Sequence, residues 1–110
     1  MRANITIRFF KEGADGSMKV RGVVSESGFL AVTPYIFPFT MKPVLGKWQI
    51  THIPTGKFII EQTRFRVALA IMRKIDGPRW AGENPAEQYP ELKYLVRAVI
   101  SEYSKQDFPT

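Results

Sequence analysis

Arg8, Lys19 and Arg21 recur at alternating positions in two stretches that read as strands, and Phe10 and Tyr35 lie close to them in sequence. Cations and rings interleaved on a sheet suit one chemistry above others. Charge follows a phosphate backbone, and rings stack unpaired bases. Lys57, carried by a later hairpin, can join the same open face. The same residue types also suit a solvated sheet face with no ligand. A second basic group, Arg64, Arg66, Arg73, Lys74 and Arg79, surrounds a predicted helix, where solubility alone explains such residues.

Other chemistry is thinly represented. The chain has no cysteine, which removes thiolate nucleophiles, disulfides and cysteine metal sites, and its lone histidine rules out a multi-histidine zinc site. Gly13, Gly16, Gly22 and Gly28 do not have phosphate-loop spacing. Asp15, Asp76 and Asp107 sit near glycine, proline or the terminus, as turn residues do. Thr51 and Thr55 can donate to phosphates, but threonine also belongs in strands and turns. We expect no catalytic residue, no metal and no cofactor, and we read the chain as a binding protein. His52 is expected to be structural. Its predicted place is the rim of the core face, between Phe58 and the end of the first helix, with a ring nitrogen bonded to a backbone or threonine oxygen.

The elements that position these residues centre on the stretch 48–60. Pro54 presets the first corner of a turn, and Gly56 can take the positive φ that closes a three-residue loop. Such a loop sets His52 opposite Phe58, Thr51 opposite Ile59, Ile50 opposite Ile60 and Trp48 opposite Gln62. Trp48, Ile50, His52, Phe58 and Ile60 then form the core face, with Gln49, Thr51, Ile53, Lys57, Ile59 and Glu61 on the other. Thr63 is a candidate N-cap. Phe65, Ala68, Leu69, Met72 and Ile75 follow at helical spacing until Gly77-Pro78 stops the helix.

Asn4–Lys11, Met18–Val24 and Phe29–Thr33 read as strands, separated by glycine-containing turns. Residues 34–47 combine Pro34, Pro38, Pro43 and Gly46 with Tyr35, Phe37, Phe39 and Met41. This segment is too apolar for a solvated linker and too rich in proline for a central strand. It reads as an ordered loop on its own core, or as an arm that docks on a partner subunit. Asn84-Pro85-Ala86-Glu87 opens a second helix that Pro90 kinks or restarts, and Leu92, Leu95, Val96, Val99 and Tyr103 mark its apolar stripe to about Ser104.

Strands first and helices after predict an α+β fold of one domain over 1–110: a four- to five-stranded antiparallel sheet with two helices, the first packed on the hairpin 48–60. No apolar run approaches the ~20 residues of a membrane span, and the first residues lack a signal-peptide core, so a cytoplasmic place is expected. Sixteen Lys and Arg against ten Asp and Glu leave a formal charge of +6. That balance favours polyanionic partners.

Trp48-x-x-Thr51-His52-x-x-Thr55-Gly56 followed by a helix resembles a hairpin of small phage-encoded proteins. Strands, a strong hairpin and a helix over residues 4–76 also look like the fold shared by transcriptional-coactivator and Whirly-type single-stranded-DNA-binding proteins. The lysine-rich strand signature of the Whirly proteins is missing, so no family binding residue carries over. The resemblance implies a phage or prophage accessory protein working in the host cytoplasm. Its expected partner is nucleic acid, single-stranded by preference, with Arg8, Phe10, Lys19, Arg21, Tyr35 and Lys57 in contact. A homodimer is also expected. The alternative is a protein-interaction module that inhibits or recruits a host protein.

Overall fold

The computed structural model describes residues 2–11, 14–37, 40, 42–62 and 64–106. Five strands come first: β1 (Arg2–Lys11), β2 (Ala14–Val24), β3 (Leu30–Phe37), β4 (Lys42–His52) and β5 (Lys57–Gln62). The helices α1 (Phe65–Ile75), α2 (Pro85–Gln88) and α3 (Glu91–Gln106) follow, with a 3-10 turn at Pro78–Trp80 after α1. The strands form one antiparallel sheet in chain order, so the α+β class holds. The four-residue α2 is an addition to the two long helices. Pro90 separates it from α3, because proline lacks an N–H and pushes the residue before it out of the helical region. Tyr89 sits there at φ −131° and ψ 78°.

One face of the sheet carries the main core. Leu30, Val32, Ile50 and Ile60 pack with Ala68, Ile71, Met72 and Ile75 of α1 and with Leu92 and Val99 of α3. The Trp48 ring stacks on Phe65 at 4.8 Å between centroids, so α1 packs on the hairpin as expected. α1 begins at Phe65 with Arg64 in the N-cap position and no side-chain cap, and Thr63 lies outside the described residues. Asn84 likewise makes no side-chain cap; its carbonyl accepts the N–H groups of Glu87 and Gln88. α3 runs to Gln106, and residues 107–110 lie outside the description. Beyond α1, the Asp76 carboxylate accepts the Ser27 backbone N–H at 2.9 Å and the Ser27 hydroxyl at 2.5 Å, tying the β2–β3 turn to the helix end.

The other face is buried as well, which strand parity alone does not predict. Gln49 and Thr51, expected to face away from the core, are 3% and 0% exposed. The sheet curls: β2 pairs with β1 along its whole length but with β3 only through Val23 and Val24. Ile7, Met18, Val20 and Ile36 then gather in a second small core. Polar groups enclosed there are satisfied. Gln49 Nε2 donates to Thr51 Oγ1 at 2.9 Å, and the hydroxyls of Thr51 and Thr33 share a bond of 2.8 Å.

The hairpin departs from the expected register near its turn. Trp48–Gln62, Gln49–Glu61 and Ile50–Ile60 pair as read from sequence, but Thr51 then faces Phe58 and His52 faces Lys57. Ile59 is the extra residue of a β-bulge, and the turn is the four residues 53–56, closed by Gly56 N–H on the His52 carbonyl at 2.8 Å. A bulge shifts side-chain parity by one. Phe58, expected in the core, is therefore 57% exposed, while Ile59 packs partly against the core. Within the segment expected to be a loop or arm, residues 34–37 extend β3 and residues 42–47 belong to β4, with a register shift between Pro34 and Ile36 where the proline interrupts the ladder. Leu45 stands fully exposed on it. Pro38, Phe39 and Met41 lie outside the described residues.

His52 is buried at the rim of the main core, with both ring nitrogens bonded. Nε2 lies 2.6 Å from the Trp80 carbonyl, which only accepts, so Nε2 carries hydrogen. The Thr55 hydroxyl accepts the Lys57 N–H at 3.2 Å and reaches Nδ1 at 2.8 Å. The ring's neighbour is Trp80, at 6.0 Å between centroids, in place of the expected Phe58, which the bulge turns outward. No helix among the described residues is long and apolar enough to cross a membrane.

Two substitutions test this packing. Gly22→Ala places a Cβ 2.9 Å from the Val32 carbonyl oxygen and 2.9 Å from Thr33 Cγ2. Backbone cannot yield there, and the variant should lose about 1–3 kcal/mol in urea unfolding. His52→Asn should lose a similar ~1–3 kcal/mol, because the Trp80 carbonyl is left buried without its donor. Thermal melts that match the parent protein would refute both assignments.

Candidate nucleic-acid interface

Register fixes which cations share a face. Arg2 pairs with Val23, Asn4 with Arg21, Thr6 with Lys19 and Arg8 with Ser17. Residues directly opposite each other point to the same side. Val23 also pairs with Val32, which packs under the helices. The Arg2, Lys19 and Arg21 row therefore belongs to the helix-bearing face, but on the part of the sheet that the helices leave uncovered. All three side chains are exposed. The Arg8 position falls on the same row by backbone register; the side chains of Arg8 and Phe10 lie outside the described residues.

The structure does not bring all of the expected contact residues together. Tyr35 lies in the bulged part of β3, with Lys47 Nζ 5.5 Å from its ring centroid. Lys47 is bonded to Glu61 at 3.0 Å, and Glu61 pairs with Gln49 on the inward side. The Tyr35 ring thus belongs to the rim of the inward face, away from Lys19 and Arg21. Lys57 sits on β5 beside His52 at the hairpin turn, level with Leu30, whereas Lys19 lies in the middle of β2, with β3 and β4 between them. Lys57 lines a separate groove of about 280 Å³ with Phe58, Trp80, Glu83 and Glu87. Two carboxylates there reduce its appeal to a polyanion.

α1 flanks the end of β2, beyond Lys19 and Arg21. A groove of about 520 Å³ runs between the end of β2 and α1, bounded by Val23, Val24, Ser25 and Glu26 on one side and Leu69, Met72 and Arg73 on the other. Arg66, Leu69 and Arg73 are three and seven residues apart, which sets them on one helical stripe. Arg21 precedes Val23 by two residues, about 7 Å along the strand. Arg73 is thus the one cation among the residues lining the groove, and Arg21 lies further along β2. Parity counting finds Lys19 and Arg21, but Arg2, Arg73 and Glu26 enter only through register and helix placement.

Pairing separates these cations from others. Lys47 bonds Glu61, Arg79 bonds Glu91 at 3.4 Å, and Lys74 bonds Glu102 at 2.8 Å. The hydrogen bond to Glu102 holds the Lys74 pKa above its ordinary 10.5, with charge attraction from Glu102 and Tyr103 adding to it. Among the described residues, no carboxylate lies within ion-pair distance of Arg2, Lys19, Arg21, Arg66 or Arg73. Three or more potential metal ligands do not cluster anywhere among the described residues. No protein family, curated protein or solved structure matches this chain, so the β1–β2 and α1 surface itself carries the functional argument.

Proposed function

We propose that this protein binds nucleic acid, single strands in preference to duplexes, through the outer face of β1–β2 and the adjoining stripe of α1. The observation that carries this reading is a set of exposed cations without an ion-pair partner among the described residues: Arg2, Lys19 and Arg21 in one row of the sheet, Arg66 and Arg73 on one stripe of α1, with Arg73 lining the groove between them. Each can meet a phosphate without first breaking an internal ion pair. Walls facing a groove suit a flexible strand laid along it; a duplex needs a protruding element that enters its own grooves.

A protein partner, in the first place a second copy of this chain, is the other reading. The fully exposed Leu45 and the 39% exposed Phe37 on the β3–β4 extension favour it. Light scattering at high protein concentration should then give twice 12.6 kDa. A mass of 12.6 kDa under those conditions counts against association.

Fluorescence polarisation with labelled single-stranded DNA, duplex DNA and RNA tests the main reading. Affinity should fall steeply with salt, because releasing counterions into a more concentrated solution gains less entropy. Lys19→Ala and Arg21→Ala should each weaken binding across sequences and reduce the slope of log K against log salt by roughly one. Absence of binding to every oligonucleotide at low salt would remove the proposal.

A further inference from the structure

We infer that the groove between β2 and α1 holds one base out of its stack and that Glu26 selects a base bearing an exocyclic amino group. This rests on the nucleic-acid reading above and adds a base-reading subsite to it. At about 520 Å³ the groove falls within the ~300–1,000 Å³ of small-ligand sites. Its sides differ in kind. Val23 and Leu69 offer half-buried apolar surface, and Met72 lies beneath. The rim carries one cation, Arg73, one residue beyond Met72. An apolar slot with a cation on its rim fits a strand whose phosphate meets Arg73 while a base turns inward.

Glu26 is the one acidic residue lining this groove. It is exposed and has no bonded partner among the described residues. A carboxylate amid phosphate-binding cations weakens general polyanion attraction, so its presence asks for a local role. An ionised carboxylate only accepts hydrogen bonds. It pairs with the amino group of cytosine, adenine or guanine, whereas thymine has no amino group and flanks its single N3–H donor with two carbonyl oxygens that repel the carboxylate. The neighbouring Ser25 hydroxyl is already engaged with the Leu30 N–H at 3.2 Å and with Ser27, which leaves the reading to Glu26.

Polarisation with oligo-dC, oligo-dT and an abasic oligonucleotide of the same length, at one salt concentration, tests this. Oligo-dC should bind about tenfold tighter than oligo-dT, within the range of good base contacts, and the abasic strand should bind no better than oligo-dT. Glu26→Gln, which offers donor and acceptor alike, should bring the dC:dT ratio to about one. Leu69→Trp, filling the slot, should lower oligo-dC affinity to the abasic level and leave the salt slope intact. Because Glu26 is on an exposed turn, its variant keeps the test valid if Leu69→Trp fails to fold. Equal, salt-dependent binding of all three strands by the parent protein would overturn the base subsite and leave the phosphate-binding reading standing. Failure of every strand to bind would overturn both.

Discussion

Everything outside the main core depends on how closely β2 crosses β3. At Gly22 a side chain would collide with the Val32 carbonyl oxygen, Thr33 and Ile5. With hydrogen alone at that position, the β1–β2 ribbon can lie down over the second face of the sheet. The curl encloses Thr33, Gln49 and Thr51, whose side chains bond one another in place of water. Enclosed polar groups are tolerated only when so satisfied, and a single lost partner leaves the others exposed to the full desolvation cost. The curl also has an outward consequence. It carries the outer row of β1 and β2 clear of the helices, so a face that is apolar core beneath α1 and α3 becomes a basic surface one strand further on.

Much of this fold is legible from the chain because local signals agree with one another. Alternation fixes Ile5 and Ile7 inward and Lys19 and Arg21 outward. Helical spacing finds Ala68, Met72 and Ile75, and Gly77-Pro78 marks where α1 must stop. The exceptions share a cause. A three-residue loop and a four-residue turn followed by a bulge both bring Ile50 opposite Ile60, and only tertiary packing chooses between them. The bulged form seats Ile59 against the core and keeps His52 within reach of the Trp80 carbonyl. Phe58 is displaced outward as a result. No period-two count reveals this, since the deciding contact comes from a residue 28 positions away from His52.

The candidate site is less legible for the same reason. Parity says which side a residue faces but not how far along a strand its neighbours lie. Lys57 and Lys19 satisfy the same parity argument, yet they stand on β5 and β2 with β3 and β4 between them. Tyr35 is assigned to a regular strand by its neighbours, yet it falls at the register shift and ends beside Lys47. Conversely, Arg73 looks like one of many helix-surface cations until α1 is laid against β2. Aromatic stacking, the part of the sequence argument that joined Phe10 and Tyr35 to the basic row, has no support from the placement of Tyr35. In the proposed base subsite, Val23 and Leu69 would take that role.

The distribution of charge pairs separates two groups of cations. The paired ones bridge neighbouring elements, although exposed ion pairs contribute little to stability. Lys74 joins α1 to α3 through Glu102, and Arg79 joins the 3-10 turn to α3 through Glu91. The Lys74 pair shows the sign of its contribution. Its folded pKa is raised, so the attraction is complete below the ordinary lysine value of 10.5 and disappears as pH climbs through the raised one. At neutral pH those pairs are formed and their charges cancelled. The charge left over to project outward, part of a formal +6, includes the Arg2, Lys19 and Arg21 row and its continuation on α1. Concentrated like charge raises the energy of the folded state by self-repulsion. Among the described residues Arg2, Lys19, Arg21, Arg66 and Arg73 have no ion-pair partner, and the nucleic acid proposed as ligand would lower that repulsion by neutralising them.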